Sequence, residues 1–155
     1  MSLASLMAAA ALAVALPPLL GAAEPGFRVQ CAGGTLPGSS SHIISRLNLA
    51  SVNELVYFCG KKQFRTAYSK IESVEYGQNV SRRYAAAVLL SPILLLSKER
   101  KHFVTLGFVD DDGNQQAVVF RVEKEDIRSV LAGLEARTGR RIEYQDDEAR
   151  KGSKQ

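Results

Sequence analysis

The chain has 155 residues, enough for one domain, and its 20 basic and 16 acidic residues leave a formal net charge of +4. That surplus is too small to imply nucleic acid. With no Trp, 7% aromatic residues and no nucleic-acid-binding motif, no nucleic-acid partner is expected.

The first 23 residues carry no charged side chain. Leu3 to Leu20 is apolar or small apart from Ser5, Pro17 and Pro18, and Gly21-Ala22-Ala23 supplies small residues just before Glu24. This is the pattern of a secretory signal peptide, residues 1–23, cleaved near Ala23. The alternative is a membrane anchor formed by the uncleaved segment. Its run of about 18 residues and its two prolines make it short for a span. Cleavage leaves about 130 residues, an ordinary size for a single domain.

In the mature chain, Phe27 to Ala32 alternates as a first strand, which Gly33-Gly34 is expected to break. Leu36 to Ser41 is a Pro-, Gly- and Ser-rich loop. Ile43 to Leu49 is a weak strand candidate and Glu54 to Cys59 a stronger one. Gly60-Lys61 makes a two-residue turn into Gln63 to Tyr68, setting Tyr57 opposite Phe64. Ile71 to Tyr76 follows. Arg82 to Leu96 divides at Ser91-Pro92 into an apolar strand or short helix and a buried strand, and Lys98 to Lys101 makes a charged turn. Val104, Leu106 and Phe108 share one strand face, as do Val118, Phe120 and Val122. Only an odd loop puts both sets on the same side. Asp111-Asp112-Gly113 fits, pairing Leu106 with Val118 and Val104 with Phe120. From about Glu125 to Thr138, Ile127, Val130, Leu131 and Leu134 make a helical stripe that Gly139 ends. Ile142 to Tyr144 adds a short extended piece, and residues 145–155 form a polar tail expected to be disordered.

The fold class is therefore mainly β (α+β). About seven antiparallel strands form a bent sheet or partly open barrel, capped by one C-terminal helix. Cys31 and Cys59 fall on the first and third strands of a meander, which two strand spacings place about 10 Å apart. Two buried thiols are expected, with a disulfide as the alternative.

The order of elements resembles the pleckstrin-homology-like superfold, including small bacterial GRAM-like domains. The matching pieces are Cys31-Ala-Gly-Gly-Thr35, Ile71-Glu-Ser-Val-Glu-Tyr-Gly77, the hairpin His102 to Val122, and the helix ending Leu134-Glu-Ala-Arg-Thr-Gly139. The resemblance covers Phe27 to Tyr144 and is architectural. It implies one domain over residues 24–144 that is a non-catalytic platform for lipids, peptides or proteins. An exported leader departs from the best-known members, which act inside cells, and speaks against phosphoinositide signalling.

The chemistry-bearing residues are few. His42 sits in a Ser-rich loop without a nucleophile elbow, and His102 opens a strand. Asp110-Asp111-Asp112-Gly113-Asn114 looks like a calcium loop but fails its spacing, with Gln115 at the sixth position and Arg121 at the twelfth. The Cys and His residues lack zinc spacing. No metal and no cofactor are expected. Asn79-Val80-Ser81 fits a glycosylation sequon, open to modification in a eukaryotic secretory route and a chance match if the source is a bacterium. One constellation fits an anionic surface: Arg82 and Arg83 before the apolar run, Lys98, Arg100 and Lys101 after it, and Lys61 and Lys62 in another turn. The first reading is an exported, non-catalytic module that binds a protein or peptide along an exposed strand edge or beside the helix. The alternatives are a peripheral module for anionic membranes and a small hydrolase or enzyme subunit.

Overall fold

The computed structural model describes residues 26–39, 44–78, 89–90, 101–145 and 147–152. Alternating apolar residues make nine strands among them: β1 (Phe27–Gly34), β2 (Ile44–Asn48), β3 (Glu54–Cys59), β4 (Lys62–Ala67), β5 (Ile71–Gly77), β6 (Leu89–Leu90), β7 (His102–Val109), β8 (Gln115–Val122) and β9 (Ile142–Tyr144). They form one sheet in the order β4-β3-β2-β1-β8-β7-β5-β9, and β6 pairs with β1 off that path. A 3-10 turn, Tyr68–Lys70, joins β4 to β5, and two helices follow β8: α1 (Ile127–Thr138) and α2 (Asp147–Gly152).

The core lies between one face of the sheet and α1. The stripe Ile127, Val130, Leu131 and Leu134 is buried against Leu47, Leu55, Tyr57, Val74, Leu106, Phe120 and their neighbours. Each such side chain, fully buried, contributes about 2 kcal/mol. Gly139, at φ 67, ends α1 with its N–H donating to the Glu135 carbonyl. β7 and the middle of β8 are buried on both faces, with Phe103, Thr105, Ala117 and Val119 on the side away from α1.

The local pairings follow the sequence. Tyr57 faces Phe64 across the turn Gly60-Lys61, where Gly60 takes φ 63. Leu106 pairs with Val118 and Val104 with Phe120. The Asp110 N–H donates to the Asn114 carbonyl, enclosing Asp111, Asp112 and Gly113, and Gly113 has φ 84.

The larger arrangement departs from expectation in several places. The sheet is mixed, because β9 runs parallel to β5. It does not close into a barrel: β4 and β9 end its path. Among the described residues the strands number nine rather than about seven, counting the short β6 and β9. Gly33 and Gly34 do not end β1, which continues through a register shift after Cys31 and still pairs with β8. Part of the polar tail, Asp147–Gly152, is helical rather than disordered. The leader, Ser40 to Ile43, the sequon, Arg82 to Val88, and Ser91 to Arg100 lie outside the described residues.

The cysteines are joined rather than free: Cys31 and Cys59 are disulfide-bonded with their Cα atoms 5.5 Å apart. The two-spacing argument treats the sheet as flat. Ile44, the first described residue of β2, pairs with Gln30, next to Cys31. The nearby buried residue of β2 is the small Ser45. Twist and coiling then carry the end of β3 toward β1 over it. The bond closes a 28-residue separation, for which a stabilisation of about 2–4 kcal/mol is expected. C31A/C59A is expected to lower guanidinium stability by that amount, and an unchanged midpoint would show that the curl holds without the bond.

Candidate functional site

The most developed surface feature starts from the alternation of β4. Its sequence, Lys-Gln-Phe-Arg-Thr-Ala, puts Phe64 and Thr66 toward the core and Gln63, Arg65 and Ala67 on the other side. A two-residue hairpin makes Cys59 and Lys62 a hydrogen-bonded pair, and bonded pairs then alternate along the ladder. The backbone groups of Lys62, Phe64 and Thr66 therefore turn to β3. The Tyr68 N–H continues this parity by donating to the Asn53 carbonyl at 3.0 Å. The N–H and C=O groups of Gln63, Arg65 and Ala67 turn outward, where no strand pairs with β4 among the described residues.

Beside this edge runs a groove of about 330 Å3. Its apolar wall is Leu36, Tyr57, Phe64 and Phe108, and its rim carries Glu54, Arg65, Lys70, Asp110 and Asp111. Phe64 stacks on Tyr57 with ring centroids 5.2 Å apart, and Phe120 meets Tyr57 edge-on at 5.2 Å. Burial pushes the Tyr57 phenol up to about 12, against a smaller opposing effect of the adjacent Thr66 hydroxyl. Leu36 is held by its own loop. Ser39 Oγ donates to the Leu36 carbonyl at 2.6 Å, and Lys62 Nζ donates to the Pro37 carbonyl at 3.1 Å.

The rim charges are engaged. Arg65 pairs with Glu54 at 2.5 Å, and Lys70 with Asp111. The Asp110 carboxylate accepts from the Asn114 N–H at 2.8 Å, Gln116 Nε2 at 2.8 Å and the Asp112 N–H at 3.0 Å. These bonds, led by the Asn114 N–H, hold it below the usual carboxylate range. Thr35 Oγ1 in turn donates to Gln116 Oε1 at 2.5 Å, tying β1 to the hairpin. Asp110 is thus a turn-forming group, as the failed calcium spacing implies.

Of the basic residues singled out in the sequence, Lys61, Lys62 and Lys101 are among the described residues. Lys61 and Lys62 are exposed in the β3–β4 turn, while Lys101 is 8% exposed. Arg82, Arg83, Lys98 and Arg100 lie outside the described residues, as does His42. His102 Nδ1 is 2.5 Å from the Tyr76 hydroxyl. Burial, and secondarily Lys124, lowers the His102 pKa, against smaller opposing effects of Glu123 and Glu125. Among the described residues no three His, Cys, Asp or Glu side chains converge as a metal site.

Sequence reasoning overlooked the groove itself. Leu36, Phe64 and Phe108 are far apart in the chain and meet only through the curl. A signal for the edge was present: Lys62 and Arg65 within a short strand are the charged residues with which edge strands resist self-association. Neither a protein-family model nor a curated protein matches this chain.

Because the folded state favours neutral His102, its contribution to stability is complete above about 6.5, the unfolded value, and declines as pH falls through the lower folded value. Melting temperature is expected to drop from pH 7.5 to about 5. H102Q should flatten that part of the curve, and an H102Q curve parallel to the wild type would contradict the assignment.

Proposed function

We propose that this protein is an exported, non-catalytic binding module that takes an extended peptide of a partner protein as an added strand along β4. The outward amides and carbonyls of Gln63, Arg65 and Ala67 carry this reading, because they offer main-chain hydrogen bonds beside an apolar groove. A strand laid there directs alternate side chains toward Phe64, Leu36 and Phe108, which supplies selectivity. The rim has both signs of charge, so the preference rests on shape and apolar contact.

Support for the non-catalytic reading comes from how the titratable groups are used. Asp110 is occupied by its turn, Tyr57 is held protonated by burial, and His102 leans on Tyr76. Support for export comes from two independent features. The uncharged leader has a cleavage-type ending, and the buried Cys31–Cys59 bond is of a kind that persists in oxidising compartments. A curled sheet with one helix across its core supports the pleckstrin-homology-like assignment, from which the parallel β9 is a departure.

R65P separates edge pairing from folding. The Arg65 N–H faces away from β3, so Pro removes an outward donor and leaves the ladder intact. Its exposed ion pair with Glu54 contributes at most about 1 kcal/mol. Peptides selected by phage display on the oxidised wild-type protein are expected to bind folded R65P about tenfold more weakly or worse. Undiminished binding to R65P would contradict the proposal.

A further inference from the structure

We infer that the peptide added to β4 carries an apolar residue opposite Thr66, another opposite Phe64 and a single acidic residue opposite Lys62, resting on strand addition at this edge. The alternation of β4 sets the spacing. Phe64 and Thr66 face the core side, and Lys62 shares their parity because it pairs with the buried Cys59. In an antiparallel pair, residues directly opposite each other lie on the same face. The outward bonds of β4 belong to Gln63, Arg65 and Ala67, so the positions opposite Lys62, Phe64 and Thr66 are non-hydrogen-bonded. Such pairs stand about 4.5 Å apart at Cα, with their side chains closest. Read from its N-terminal end, an added antiparallel strand therefore has the order apolar, any, apolar, any, acidic.

The groove defines the two apolar positions. Phe64 and Thr66 both line it, together with Leu36, Tyr57 and Phe108. Phe64 is half-buried and stacked on Tyr57, so the residue opposite it meets a ring. Thr66 is small and leaves room beside it, which suits an aromatic side chain at the first apolar position.

The acidic position lies past the rim. Lys61 and Lys62 are exposed, and neither forms an ion pair among the described residues. Lys62 Nζ donates to the Pro37 carbonyl at 3.1 Å, which holds the ammonium at the Leu36 end of the groove. That bond uses one of its three donors. The rim carboxylates belong to the other end and are engaged: Glu54 stands opposite Ala67 and pairs with Arg65, Asp111 pairs with Lys70, and Asp110 closes its turn. One carboxylate placed two residues past the apolar pair reaches Lys62 without meeting them. A run of acidic residues along the whole edge would meet them.

The test uses the full oxidised chain and three fluorescein-labelled peptides, SFTVTES, SFVTTES and SFTVTKS, read by anisotropy at about 0.02 M salt. SFTVTES is expected to bind saturably. SFVTTES has the same composition but turns its Val to the outer face, and is expected to bind about tenfold more weakly. SFTVTKS should bind about threefold more weakly or worse, and K61E/K62E should reverse the order of SFTVTES and SFTVTKS. That ratio, taken within one protein, is insensitive to any loosening of the Leu36 loop. No binding of SFTVTES, equal binding of SFTVTES and SFVTTES, or an unreversed order in K61E/K62E would overturn the motif. R65P distinguishes this from failure of strand addition. If R65P weakens all three peptides while the wild type binds them alike, the edge is used and the motif is wrong. If R65P binds SFTVTES undiminished, strand addition is wrong and the motif falls with it.

Discussion

The Cys31–Cys59 bond is the constraint around which the rest of the sheet is arranged. It ties β1 to β3 across the short β2 and so fixes how sharply the sheet curls. The curl determines what the inner face can bury. It brings Tyr57 against Phe120, which belong to strands separated by β2 and β1, and it lets one helix cover the remaining core. The same curl carries the β3–β4 hairpin toward the β7–β8 turn, so that Phe64 and Phe108 face a common groove while the outer edge of β4 has no paired strand among the described residues.

An open edge is a liability in a β protein, and here it is managed rather than removed. Lys62 and Arg65 place charge along β4, and the Arg65–Glu54 pair holds one of those charges on the outer face. A partner strand that satisfies Gln63, Arg65 and Ala67 gains main-chain bonds that a second copy, carrying the same charges, gains less readily.

Legibility in the sequence followed the range of the interaction. The β7–β8 hairpin was readable because parity and Gly113 are local, and α1 because its stripe and Gly139 are local. Tyr57 opposite Phe64 followed from a two-residue turn alone. The disulfide was misjudged because the distance between β1 and β3 depends on where β2 begins and how far the sheet coils. Neither quantity is written in the residues near Cys31 or Cys59. The parallel pairing of β9 with β5 also depends on the path of the chain after α1. The candidate site suffered most: Leu36, Phe64 and Phe108 come from a loop and two strands.

The central claim is that β4 presents an open edge with alternating backbone polarity. Residue-resolved amide hydrogen exchange on the oxidised protein reads this directly. The account predicts protected amides at Phe64 and Thr66, which bond to β3, and fast exchange at Gln63, Arg65 and Ala67. Uniform protection along β4 would contradict it, because the outward groups would then already have partners.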